Sequence, residues 1–178
     1  MILFDLDDWY PKKECLGLDW LIDAKHKYPD LKVTLFTILG RWNGYPLKSL
    51  MEAFPWVEYG AHGFMHDKNS ECMEWDKKRW FEVLNLYEQM GFTKIFKAPN
   101  WEMSRLGFQV LKEMDWAVAC RGFQIDEVPR GAKYYSFEEQ NGVHGHTWLL
   151  EADELKGKFN DWKKTSEFGF ISDYLRIK

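Results

Sequence analysis

Three short stretches of this chain carry residue types and spacings suited to hydrolytic chemistry. His62-Gly63-Phe64-Met65-His66 sets two imidazoles four positions apart. On a helical turn that spacing puts both rings on one face, close enough to bind one metal ion. Asp5-Leu6-Asp7-Asp8 places carboxylates at the end of a short apolar run. Asp8 is the natural oxygen donor to complete a His₂Asp set, which suits a catalytic zinc or similar divalent ion with an open position. Alternation along an extended strand sends Asp5 and Asp7 to one side and Asp8 to the other. A turn beginning at Asp7 would bring Asp7 and Asp8 into one cleft, where one binds the metal and the other takes a proton from metal-bound water. His144-Gly145-His146 places both rings on one side of a strand, and one of them could serve as a general acid near neutral pH. Each stretch also has a plainer reading: histidines on a surface loop, acids capping a turn, a histidine pair with no chemistry.

The elements that must position these groups alternate. An apolar run, Ile2 to Leu6, predicts a first strand. Leu18 to Lys27 has helical spacing and is closed by Pro29. Val33 to Ile38 is β-branched and aromatic and predicts the clearest strand, and Val57 to Ala61 a weaker one. Leu47 to Phe54, Glu74 to Met90 and Arg105 to Met114 read as helices, with Gly91 and Ser104 as cap residues. Brief strands are expected at Ile95-Phe96, Trp116 to Cys120, Tyr134 to Phe137 and Gly142 to Leu149, and a partly helical tail from Glu151. Strand–helix alternation implies a parallel sheet or barrel, whose active site lies at the C-terminal strand ends. Those ends carry Asp5, Asp7 and Asp8; His62 and His66; Lys97, Pro99 and Trp101; and His144 and His146.

The composition is that of one globular domain: 178 residues, 46% hydrophobic and 29% charged. A disordered tail, a coiled coil and a collagen-like chain are excluded. The 10 Trp, 8 Tyr and 13 Phe supply core area with rings to spare for stacking walls. A net charge of −4 argues against a phosphate-backbone partner, so no nucleic-acid role is expected. No run reaches the length of a membrane helix, and no membrane partner is expected. Cys15, Cys72 and Cys120 are odd in number and lack CxxC spacing, which fits reduced thiols. With no basic, apolar leader at the N-terminus, a cytoplasmic setting is expected.

In sequence order these pieces resemble the polysaccharide deacetylase family (NodB-type, carbohydrate esterase family 4). Asp7-Asp8 is similar to its first motif, His62 to His66 to its His-x-x-x-His motif, and Lys97-Ala98-Pro99-Asn100-Trp101 to its Arg-x-Pro-x-Trp motif. His146 or His144 stands for the histidine that ends its last hydrophobic strand. The resemblance implies an α/β fold, a distorted or truncated (β/α) barrel, as one catalytic domain over residues 1–178. It implies removal of an acyl group, N-acetyl first, from a sugar or small amide. It implies Asp8, His62 and His66 as ligands of one divalent metal ion, zinc first, with Asp7 as base and His146 as general acid. Lys97 would stand beside Asp7 as a point charge where the family has Arg. Trp101 would wall the pocket, with Pro99, His144 and Trp9 as further substrate contacts. Trp9 follows the Asp pair where the family has Gly, and the family's late acid-and-Trp motif has no clear counterpart; Asp115-Trp116 is a poor match.

Two other readings remain. Leu3-Phe4-Asp5-Leu6-Asp7-Asp8 also resembles the first motif of haloacid-dehalogenase-type phosphatases, with Asp5 as nucleophile and Asp7 as acid/base. That family places Thr or Ser where Trp9 stands, and this reading leaves the histidine motifs unused. Alternatively, the barrel could be a non-catalytic relative that holds a sugar in its aromatic cleft.

Overall fold

The computed structural model describes residues 1–11, 17–42, 44–67, 70–140, 142–147 and 167–177. The first strand, β1 (Ile2–Trp9), is buried over its whole length, and its period-2 alternation feeds two separate cores. Phe4, Leu6 and Trp9 face outward into a large core beneath the helices. Leu3 faces inward with Phe36, Ile95, Ala117, Ala119, Tyr135 and Ile171. A strand buried on both faces is the signature of a parallel sheet wrapped by helices.

The remaining elements follow in chain order. They are α1 (Asp19–Lys27), β2 (Val33–Thr37), α2 (Leu47–Ala53), β3 (Val57–Ala61), α3 (Glu71–Glu74), α4 (Lys77–Gln89), β4 (Ile95–Lys97) and α5 (Arg105–Glu113). Then come β5 (Ala117–Ala119), β6 (Tyr134–Tyr135), β7 (Gly142–His146), β8 (Phe168–Gly169) and α6 (Ile171–Leu175). Strand order is β6-β5-β4-β3-β2-β1-β7, every pair parallel, with β8 on the start of β1. Among the described residues β6 and β7 do not pair. The sheet nonetheless curls far enough that the Tyr135 hydroxyl of edge strand β6 reaches Asp5 of β1 at 3.1 Å. The architecture is the distorted (β/α) barrel expected.

The long predicted helix from Glu74 is broken. Asp76 takes up an extended backbone, and its side chain accepts from Arg79 N at 2.7 Å, capping α4. The cap competes with helix continuation, so Glu71–Glu74 forms a separate turn. One face of α4, Trp80, Val83, Leu84 and Tyr87, is buried, as its spacing predicts. α5 packs so tightly against it that a Cβ on Gly107 would meet Trp80 Cζ2 at 2.4 Å. Phe168–Gly169 and Ile171–Leu175 add a strand and a helix that periodicity did not single out. Positions 148–149 of the expected last strand and 151–166 of the tail lie outside the described residues.

Trp9 is corrected by its packing. It is 1% exposed and packs tilted at 5.4 Å against Tyr59 and edge-on at 5.7 Å to Trp42, inside the outer core. It is a core ring and not a substrate contact. Trp9→Ala is expected to lower unfolding free energy by about 3–5 kcal/mol in urea denaturation, with Trp9→Phe costing clearly less. Equal, small losses for both would place the ring outside the core.

Candidate active site

The inner face of β1 turns polar toward its C-terminal end, and a bulge completes the site. β1 advances from Leu6 to Trp9 while β2 advances only from Leu35 to Thr37. The extra residue sits at Asp8, in left-handed backbone at φ 63°. An aspartate tolerates that conformation better than most residues. The bulge defeats simple alternation and delivers Asp8 next to Asp7.

Asp8 Oδ1 lies 3.2 Å from His62 Nε2 and 2.9 Å from His66 Nε2. It is buried and takes no well-formed hydrogen bond. His62 turns its other nitrogen, Nδ1, to the Lys97 carbonyl at 2.9 Å. With Nδ1–H donating there, the neutral ring keeps its Nε2 lone pair for a cation lying between it and the carboxylate. Burial pushes the Asp8 carboxyl up, and the two imidazoles more than reverse this, holding it well below the ordinary carboxylate range. The Asp8 carboxylate in turn raises the His66 imidazole. Three donor atoms within 4.8 Å of one another, one a buried carboxylate oxygen without a hydrogen bond, fit a divalent cation.

The histidines do not sit on the helical turn their spacing suggests. Gly63 and His66 are both left-handed, at φ 64° and 52°, and the segment is a loop. Glu71 shapes it: its carboxylate accepts from the backbone N–H of Phe64 at 2.8 Å, His66 at 2.9 Å and Met65 at 3.2 Å. A Cβ on Gly63 would meet Glu71 Oε1 at 2.4 Å and Pro99 Cγ at 2.5 Å, so only glycine fits. Pro99 is therefore buried under this loop, which corrects its expected substrate contact. Tyr87 supports it from below. Its buried hydroxyl lies 2.9 Å from Gly63 O and accepts from Leu39 N at 2.9 Å. Nothing in the residue pattern singles out Glu71, and Tyr87 falls inside the helix expected from Glu74 to Met90. The one available signal for Tyr87 was that a buried phenol needs a partner for its hydroxyl.

Lys97 lies at the centre of the inner face and is 0% exposed. Its Nζ is 2.5 Å from Asp5 Oδ1, 2.9 Å from Asp7 Oδ1 and 3.0 Å from His144 Nδ1. The ammonium also faces the Phe36 and Trp101 rings, at 4.7 and 4.2 Å from their centroids. Asp5 accepts from Tyr135 at 3.1 Å and lies 2.8 Å from His144 Nδ1. Burial pushes the Asp5 carboxyl up, but the Lys97 and His144 charges outweigh it and lower it from 3.8 to about 2. Asp5 is completely buried in this network and so is not placed as an accessible phosphatase nucleophile. Trp101, left-handed at φ 62°, is turned back over Lys97, where it meets His144 edge-on at 5.1 Å and Phe137 at 5.8 Å. His146 follows on the same strand, its ring 5.1 Å from that of His144. The structure thus brings Asp7, Asp8, His62, His66, Lys97, Trp101, His144 and His146 to one mouth of the barrel.

Comparison with solved structures gives the same architecture. A peptidoglycan N-acetylglucosamine deacetylase superposes with TM-score 0.70 at 12% identity, over 99% of this chain and 88% of that one. A family 4 acetyl xylan esterase from Clostridium thermocellum, solved with a cobalt ion, gives TM-score 0.63 at 16% identity, over 97% and 88%. A family 4 pseudoenzyme from Bacillus anthracis gives TM-score 0.67 at 13% identity, over 98% of this chain and 65% of that one. The chain has the fold of the carbohydrate esterase family 4 polysaccharide deacetylases. Neither protein-family models nor curated proteins give a match to this sequence.

Two outcomes are expected from this geometry. If the three donors hold a divalent cation, Glu71→Gln should weaken its binding at least about tenfold in a competition titration with zinc as the probe, as loss of a group orienting metal ligands does elsewhere. Unchanged affinity would remove Glu71 from the site. Asp5 is depressed in the folded protein, so its stabilising contribution is present above 3.8 and is lost as pH falls through about 2. The stability gap between wild type and Asp5→Asn should therefore shrink over that window, by on the order of 2 kcal/mol in pH-dependent denaturation. A gap that stays constant with pH would contradict the assignment.

Proposed function

We propose that this protein is a metal-dependent deacetylase that removes an acyl group, N-acetyl first, from a carbohydrate or small amide. The carrying observation is the convergence of Asp8, His62 and His66 beside the buried Asp7–Lys97 pair. One protein of this fold is a pseudoenzyme, so the fold alone does not carry catalysis. The reading rests instead on the donor set and on the carboxylate next to it.

Asp8, His62 and His66 would hold one divalent ion, zinc being the first candidate for imidazole and carboxylate donors. When bound, the ion supplies Lewis acidity toward the acyl carbonyl and acidifies the adjacent water. Asp7 accepts the water's proton, with Lys97 at 2.9 Å as its fixed counter-charge. His146 protonates the departing amine. Trp101 offers a ring face for a sugar at the mouth. His144 braces this wall through its edge-on contact with Trp101. Lys97 reaches Asp5 and Asp7 together, a task for a compact ammonium with three donors.

Acetate release from N-acetylglucosamine oligomers and from an aryl acetate, with zinc or cobalt supplied, is the direct assay. Asp7→Asn and His146→Ala are each expected to lower turnover on the order of 10²–10⁴-fold. Turnover that survives both substitutions refutes the roles. Absence of acetate release from both substrates by metal-loaded wild type refutes the function.

A further inference from the structure

The same mouth contains a second set of donors. We infer that Asp7, His144 and His146 form a second cation site, weaker than the first, and that an ion there blocks the reaction. The inference rests on the reading of Asp8, His62 and His66 as the primary site.

The parallel register carries the geometry. β1 and β7 pair Asp5 with His144 and Asp7 with His146. Period-2 alternation then puts these four side chains on one face of adjacent strands. One ligand atom each from Asp7, His144 and His146 lies within 4.8 Å of the others. Modest side-chain rotation brings such atoms to the bond lengths of about 2.0–2.2 Å that zinc takes with imidazole and carboxylate.

The orientation of His144 is the second observation. Its Nδ1 is 2.8 Å from the completely buried Asp5 carboxylate, and its Nε2 is 3.7 Å from Asp7 Oδ2. A carboxylate behind a histidine, fixing its tautomer and turning the far nitrogen outward, is the arrangement found behind metal-ligating imidazoles. His62 repeats it with the Lys97 carbonyl. Asp7 is 3% exposed and pairs with the ammonium through Oδ1, which leaves Oδ2 as the oxygen turned toward His144 Nε2.

Charge sets the order of filling. Asp5 and Asp7 pair with the Lys97 ammonium while Asp8 faces His62 and His66, so three carboxylates stand against one fixed cation. A first divalent ion on Asp8 cancels the remaining negative charge. A second meets no surplus and stands close to Lys97, so it binds more weakly. It also occupies the lone pairs of Asp7 and His146, the groups assigned to take and give protons, so excess metal inhibits.

Zinc titration of chelator-treated protein, read by calorimetry and by metal analysis after dialysis, tests this. Wild type should take up two ions per chain, the second at least about tenfold weaker, a gap of about 1.4 kcal/mol. His146→Ala and, separately, His144→Gln should keep the tight ion and lose the weak one; folding is checked by circular dichroism. Should wild type saturate at one ion, or should folded His146→Ala and His144→Gln both retain the weak ion, the second site is refuted. His62→Ala serves as the control: a tight ion that persists in it refutes the primary site instead.

Discussion

A fully buried ammonium cannot remain in a protein interior without compensating charge, and Lys97 organises this molecule around that constraint. Its donors are met by Asp5 and Asp7 from β1, the His144 ring of β7 lies alongside at 3.0 Å, and the Phe36 and Trp101 faces cover what is left. Tyr135 from β6 closes the far side of Asp5. One cation thereby ties together β1, β4, β6 and β7, across the gap where the described strands do not pair. Replacing a single member leaves the others as uncompensated buried charges, which is far costlier than losing a surface ion pair.

Backbone strain concentrates at the same mouth. Asp8, His66, Asn100 and Trp101 all occupy left-handed conformations, and for a ring as bulky as Trp101 this is a true outlier. Three of the four are held by specific contacts. The β1 bulge fixes Asp8, Glu71 holds the N–H of His66, and the Gln124 side chain donates to the Trp101 carbonyl. Elsewhere among the described residues only Asp115 and Arg176 are non-glycine residues in the left-handed region, so four of the six such positions lie at the mouth.

The motif residues and their order along the chain were legible because each follows a strand, and parallel α/β folds place strand ends together. Helix faces such as Trp80, Leu84 and Tyr87 were legible for a similar reason, since burial imposes a 3.6-residue period. The break before α4 was not, because a cap at Asp76 competes locally with a pattern that reads continuously. Trp9 was misplaced for a related reason. An aromatic beside a motif can face either the cleft or the core, and the β1 bulge decides which.

The sequence by itself determined the chemistry on offer: carboxylates, imidazoles and one lysine at successive strand ends, on strands apolar enough to be buried on both faces. Tertiary structure decided which of them meet. Asp5, which reads as a possible nucleophile, becomes a buried anchor because Lys97 and Tyr135 close over it from strands distant in the chain. Glu71 becomes part of the site only because α3 docks against the histidine loop. Hydrogen bonds between residues far apart in sequence leave no periodic trace, whereas burial does; that is why the strands and helix faces could be read in advance and the partners could not.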